Sequence, residues 1–215
     1  RVAGVTFTGS VAVGRAIMSE IAKGAYPRPY IAEMGGKNPT IVTENADLDR
    51  AAAGIARSAY GMGGQKCSAL SRLYVHEKVA DSFARKLTEK MSALKMGNGL
   101  TEGVALGPLV NAETRDKVQA LVDDAVKKGA KIATGGKAPV GKGYFYPATV
   151  LTNVPDSANL LRDEIFGPVA PIQTFTTDEE AIRRVADIAI RQLRPALLRR
   201  DDVGDQIVAR LHAQG

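Results

Sequence analysis

Apolar positions along the chain change period repeatedly, and each change marks a predicted element. Val2 to Thr8 is rich in β-branched residues and runs into Gly9-Ser10, after which Val13, Ile17 and Ile21 recur at helical spacing within Val11 to Ala22. The pattern is strand, glycine turn, helix. Tyr30 to Ala32 reads as a short strand leading to Glu33, and Thr40 to Thr43, β-branched throughout, reads as a strand buried on both faces. A helix follows over Leu48 to Tyr60, with Asn45 or Asp47 as its cap and Gly61 as its stop. Arg72 to His76 alternates as a strand does. Val79, Phe83, Leu87, Met91 and Leu94 then mark a helix from about Lys78 to Leu94.

Met96 to Val110 is glycine-rich and aperiodic, a loop long enough to suggest function. Asn111 caps a helix over Ala112 to Lys128, and short strands follow at Lys131 to Ala133 and Ala148 to Thr152. A helical turn at Asp156 to Leu161, a loop at Arg162 to Pro168, a strand at Val169 to Thr176 and a helix from Asp178 complete the pattern. Alternating strands and helices predict an α/β fold, with a largely parallel sheet and flanking helices.

Composition narrows the functional classes. The chain has 215 residues, 45% of them hydrophobic and 24% charged, enough for one sizeable core or for one domain and part of another. No apolar run approaches the ~20 residues that span a bilayer, and no signal-peptide layout opens the chain. One cysteine forms no internal disulfide, so the expectation is a cytoplasmic protein without membrane partners. Half of the net charge of +6 lies in residues 181 to 215, where seven Arg face four Asp. Elsewhere the charges alternate in sign, as on a solvated surface, and no nucleic-acid partner is expected. His76 reads as a strand-end surface residue, and neither it nor His212 has neighbours suited to a metal, so no metal is expected.

The candidate chemistry lies in two glycine-built stretches. Gly61-Met62-Gly63-Gly64-Gln65-Lys66-Cys67-Ser68-Ala69 places the only thiol in flexible backbone beside a lysine, a setting for a nucleophile. By itself a lone cysteine among apolar neighbours reads as a small buried hydrophobe. Ala32-Glu33-Met34-Gly35-Gly36-Lys37-Asn38-Pro39 supplies a carboxylate 34 positions earlier, with Lys37 read as a loop or interface charge. Gly9 and Ser10 open a helix whose backbone N–H groups suit a phosphate or a polarised ligand.

These stretches carry a resemblance. Glu-Met-Gly-Gly-Lys-Asn-Pro at 33 to 39 and Gly-Gln-Lys-Cys ending at Cys67 resemble the signature pair of the aldehyde dehydrogenase superfamily. Phe7-Thr8-Gly9-Ser10 with Gly14, Gly107-Pro108-Leu109-Val110 and Glu164-Ile165-Phe166-Gly167-Pro168 fit the family in the same order. The resemblance covers about residues 1 to 186. It matches the middle and later part of a family member more than twice as long, so the chain reads as a fragment truncated at both ends.

What the resemblance implies is an aldehyde dehydrogenase-like fold. Residues 1 to 34 would end a dinucleotide-binding domain, and residues 35 to 186 would form a catalytic domain. Cys67 would be the nucleophile and Glu33 the general base. Thr8, Gly9 and Ser10 would face the pyrophosphate and nicotinamide end of NAD or NADP, while Glu164 and Phe166 would hold the nicotinamide ribose and steady the ring. The partner implied is a small-molecule aldehyde, and the parent enzyme would be a homo-oligomer, a dimer or tetramer. A catalytically inactive remnant and a coenzyme-A-acylating semialdehyde dehydrogenase remain alternatives.

Beyond residue 187 the resemblance stops. A Tyr-Gly-Leu turn and an apolar strand are expected there, whereas Ile188 to Pro195 carries arginines. A plausible codon set for Ile188 to Arg191, read one base later, can yield Ser-Gln-Tyr-Gly, so 187 to 215 reads as a divergent segment from a frameshift.

Overall fold

The computed structural model describes residues 2–197, with side chains described through residue 187. The chain divides after Gly36 into two compact units.

The first unit is a strand–helix–strand motif: β1 (Val5–Thr8), α1 (Val11–Ala22) and β2 (Tyr30–Glu33). The two strands pair in parallel, from Val5 against Tyr30 to Thr8 against Glu33. Ser10 caps α1 by accepting the Val13 N–H on its Oγ at 3.3 Å, as its place before an apolar-periodic run predicts. Tyr30 Oη donates to the Gly14 carbonyl at 2.7 Å and ties β2 to the helix.

The second unit begins at Lys37 and holds β3 (Asn38–Val42), α2 (Leu48–Tyr60), β4 (Leu70–His76), α3 (Glu77–Ser92), α4 (Ala112–Lys127), β5 (Lys131–Thr134), β6 (Thr149–Thr152), β7 (Val169–Phe175) and α5 (Asp178–Leu197). Its sheet runs in the order β3-β4-β7-β6-β5, parallel except for the antiparallel β5–β6 pair. The parallel sheet expected from the alternation of elements is present. Every residue of β4 is buried, as a strand covered on both faces must be.

Successive residues divide the core between those faces. Val150 packs with Phe83, Leu87, Ile55 and Leu73 beneath α2 and α3, while its neighbour Leu151 packs with Val118, Val122 and Leu160 beneath α4. Asp47 is the cap of α2, its Oδ1 accepting the N–H groups of Asp49 and Arg50 at 3.0 and 3.1 Å.

Two expectations are corrected. His76 is not a surface residue. It is buried, its Nδ1 accepts the Lys78 N–H at 3.3 Å to cap α3, and its ring meets Phe175 edge-on at 5.3 Å. Histidine is no common cap, so nothing in the pattern announced this. The run Thr40 to Thr43, read as buried on both faces, lies mostly in the edge strand β3, where Ile41 is exposed. After Asp178, helix continues through Leu197, in line with the reading that the arginines of 188 to 195 make a poor strand. The rest of the segment assigned to a frameshift, from residue 198, lies outside the described residues.

Between α2 and β4 the chain makes a tight 3-10 turn, Gly61–Gly64, with φ of +65° and +70° at Gly63 and Gly64. A Cβ at Gly64 would stand 2.2 Å from the Gly167 carbonyl oxygen and 2.8 Å from that of Ala59. Only a hydrogen fits there. Gly54, inside α2, has nothing within 4 Å of such a Cβ. Gly64→Ala is therefore expected to lower unfolding stability by about 3 kcal/mol or more, and Gly54→Ala to raise it by about 0.5–1 kcal/mol. Urea midpoints check both, and a Gly64→Ala midpoint equal to wild type would show that the turn is not packed this way.

Candidate active site

In the second unit three segments distant in sequence meet because each leads into one of three neighbouring parallel strands. Lys37 and Asn38 open β3, residues 61 to 69 lead into β4, and residues 162 to 168 lead into β7. The order β3-β4-β7 makes their amino ends adjacent.

Cys67 is exposed on the middle segment. Its loop is held from several sides. Asn38 Nδ2 donates to the carbonyls of Cys67 and Ala69 at 2.6 and 2.9 Å, and Leu70 N–H donates to Ser58 Oγ at 3.2 Å. Gln65 Nε2 donates to the Met62 carbonyl at 3.1 Å, and Gln65 Oε1 accepts the Val110 N–H at 2.9 Å. The long 96–110 loop is thereby joined to the cysteine turn.

The third segment packs directly on this turn through Gly64 and Gly167. It carries the half-buried Glu164 and Phe166. Phe166 adopts φ +53°, a left-handed conformation uncommon for a bulky residue. Gly167 lies against Val118 of α4, which leaves no room for a larger residue after that turn. The half-buried carboxylate of Glu164 and the ring of Phe166 thus stand two residues apart on a turn packed against the cysteine loop.

In the first unit the parallel pairing brings together Thr8, Gly9, Ser10 and Glu33. Thr8 lies opposite Glu33 in the ladder, and the Gly9 N–H donates to the Glu33 carbonyl at 3.0 Å. The Glu33 side chain is exposed. A carboxylate at the end of β2 and the glycine turn opening α1 thus share one edge of this unit.

Lys37 is corrected from a loop or interface charge to a buried one, 4% exposed. Its Nζ has no hydrogen-bond partner among the described residues. Arg72 is buried beside it, donating from Nε and Nη2 to the Lys37 carbonyl at 3.0 and 2.8 Å. Burial, and then the Arg72 charge, push the Lys37 ammonium down to about 7, against the opposing pull of Asp163 and Glu164. No pattern in the sequence marked Lys37 as buried, because lysine before a strand is ordinarily solvated. The Asn38 clamp was also missed, although Asn38-Pro39 at a strand start was a signal.

The chain belongs to the aldehyde dehydrogenase family, whose model matches residues 1–191. It is similar to succinate-semialdehyde dehydrogenase of Paenarthrobacter nicotinovorans, 44% identical over 179 residues that cover 83% of this chain and 39% of that protein. Among solved structures it is similar to lactaldehyde dehydrogenase from Escherichia coli, with a TM-score of 0.83 and 42% identity over 86% of this chain and 39% of that one. It is also similar to betaine aldehyde dehydrogenase from Staphylococcus aureus in complex with NAD+, with a TM-score of 0.81 and 36% identity, covering 86% and 37%. The chain thus spans about two-fifths of the length of the proteins it matches. Among the described residues no helix is long and apolar enough to cross a membrane.

The buried lysine sets a pH dependence. Its folded pKa lies near 7 against 10.5 in the unfolded chain, so between those values the unfolded state binds more protons and stability rises with pH. Below about 7 both states are protonated and the full penalty is felt. Lys37→Met is expected to stabilise the protein at pH 6 by on the order of 4 kcal/mol relative to wild type, the difference shrinking to near zero by about pH 10.5. Denaturant midpoints across that range check it, and a pH-independent difference would overturn it.

Proposed function

We propose that this chain carries part of the active site of an NAD(P)-dependent aldehyde dehydrogenase, with Cys67 as nucleophile and Glu33 as general base. The observation that carries the reading is an exposed thiol on a rigidly pinned loop, packed through Gly64 onto the turn bearing Glu164 and Phe166. Glu164 would hold the nicotinamide ribose by its hydroxyls, and Phe166 would steady the ring. Thr8, Gly9 and Ser10 would face the pyrophosphate and nicotinamide end, with the N–H groups at the start of α1 offered to an anion.

The Cys67 thiolate adds through Sγ to the aldehyde carbonyl carbon, forming a C–S bond and a tetrahedral thiohemiacetal oxyanion. The Cys67 backbone N–H is the donor this loop can offer that oxyanion. A nicotinamide held by Glu164 and Phe166 would supply the acceptor for the hydride on the thiohemiacetal carbon. A thioester on Cys67 remains. Glu33 takes a proton from water, the hydroxide adds to the thioester carbonyl, and the C–S bond breaks to release a carboxylic acid and the thiolate. A carboxylate base favours hydrolysis over acyl transfer to coenzyme A. Semialdehydes of short dicarboxylic acids are the first substrates to try, given the similarity to a succinate-semialdehyde dehydrogenase. The enzyme is read as cytoplasmic and homo-oligomeric.

The test is reduction of NAD or NADP with a panel of aldehydes, with and without free coenzyme A. Wild type is expected to turn over without coenzyme A, and Cys67→Ala to lose at least ~10³-fold in rate. Retained turnover in Cys67→Ala would refute the nucleophile. A wild-type chain that reduces neither cofactor would favour the inactive-remnant alternative.

A further inference from the structure

The ladder between β3 and β4 breaks at its first step. Asn38 pairs with Leu70 but Pro39 pairs with Arg72, so the register slips between them. Pro39 has no N–H to give to the ladder. At that gap the Asn38 side chain supplies two N–H groups in place of backbone donors, one to the Cys67 carbonyl at 2.6 Å and one to the Ala69 carbonyl at 2.9 Å.

A side-chain amide that replaces a missing backbone donor fixes the Cys67–Ser68 and Ala69–Leu70 peptide planes, and with the first of them the backbone from which the thiol projects. The two donors also offset the negative ends of the Cys67 and Ala69 carbonyl dipoles. A carbonyl left bare beside a thiolate disfavours the charged form, whereas one already engaged by N–H groups does so less. Other restraints act elsewhere on the loop: Gln65 holds its near end and Ser58 takes the N–H of Leu70. Asn38 alone among these reaches the carbonyl of Cys67 itself.

We propose that Asn38 is a positioning residue for Cys67, holding the cysteine loop by a two-pronged side-chain clamp that compensates for Pro39 and keeps the thiol in its reactive form. The inference rests on the reading of Cys67 as nucleophile, but its test does not use turnover. Cys67 is the only cysteine and is exposed, so its alkylation by iodoacetamide reports on one site.

The pH profile of that alkylation is measured for wild type, Asn38→Ala, Asn38→Ser and Asn38→Asp, with thermal melting of each. The alkylation midpoint is expected to rise in the order wild type, Asn38→Ala, Asn38→Asp, since the last places a carboxylate against two carbonyls. The rate at pH 7 should fall by about threefold to tenfold. Asn38→Ser, which keeps one donor, should lie between wild type and Asn38→Ala. Rates and midpoints equal to wild type in variants that melt normally would overturn the proposal. Should the variants fail to fold, the wild-type protein decides. The Asn38 side-chain amide protons are expected to exchange with solvent at least ~10-fold more slowly than a free primary amide, and exchange at the free rate would overturn it. Turnover retained in Cys67→Ala would remove the nucleophile reading and leave these measurements of the clamp intact.

Discussion

The parallel pairing of β3, β4 and β7 is the constraint on which the second unit depends. A parallel ladder forces long crossovers, so the segments entering its strands come from far apart in the sequence. Side by side, those entrances form a single edge. Lys37 and Asn38, the cysteine turn, and the Glu164–Phe166 turn all stand on it. Open α/β sheets commonly bind ligands beyond the carboxyl ends of their strands. Here the candidate groups gather at the amino ends. Rigid backbone there comes from contacts between loops rather than from helix N-termini: Gly64 against Gly167, Gln65 to Val110, and Asn38 to Cys67.

Much of the architecture was legible in the sequence. Apolar spacing located the helices because the stripe Phe83, Leu87 and Met91 is buried in the core, and the β-branched runs located strands. Caps were legible where the capping side chain is a short polar one. Ser10, Asp47 and Asn111 act as their residue types suggest, whereas His76 does so only because β4 delivers it into a buried corner beside Phe175. Helix α5 was legible at its acidic start and not in its length. Arginines at 191 and 194 argue against a buried strand, and the backbone there is helical.

The candidate site divides in the same way. Motif order pointed to Cys67, Glu33, Glu164 and Phe166, the residues proposed to carry the chemistry. It did not point to the groups that hold them. Lysine before a strand is surface in most chains, yet Lys37 is sealed in with Arg72, Asp163 and Glu164 acting on it. Its burial follows from the tertiary packing of three loops, which periodicity does not encode.

That buried charge bears on why the edge is built with such tight clamps. Lys37 and Arg72 place two cations under one strand entrance, and Arg72 has both Nε and Nη2 committed to the carbonyl of Lys37. A desolvated ammonium with no hydrogen-bond partner among the described residues costs free energy, more so as pH falls and its proton is retained. A strand entrance under that load would tend to open and let water in. The opposing forces are local: the carboxylates of Asp163 and Glu164 attract the ammonium, the Arg72 fork pins its backbone, and the Asn38 clamp joins the next residue to the cysteine loop. The same bonds that keep a costly lysine buried therefore also hold the thiol loop still. Rigidity at Cys67 and strain at Lys37 are two consequences of one packed edge.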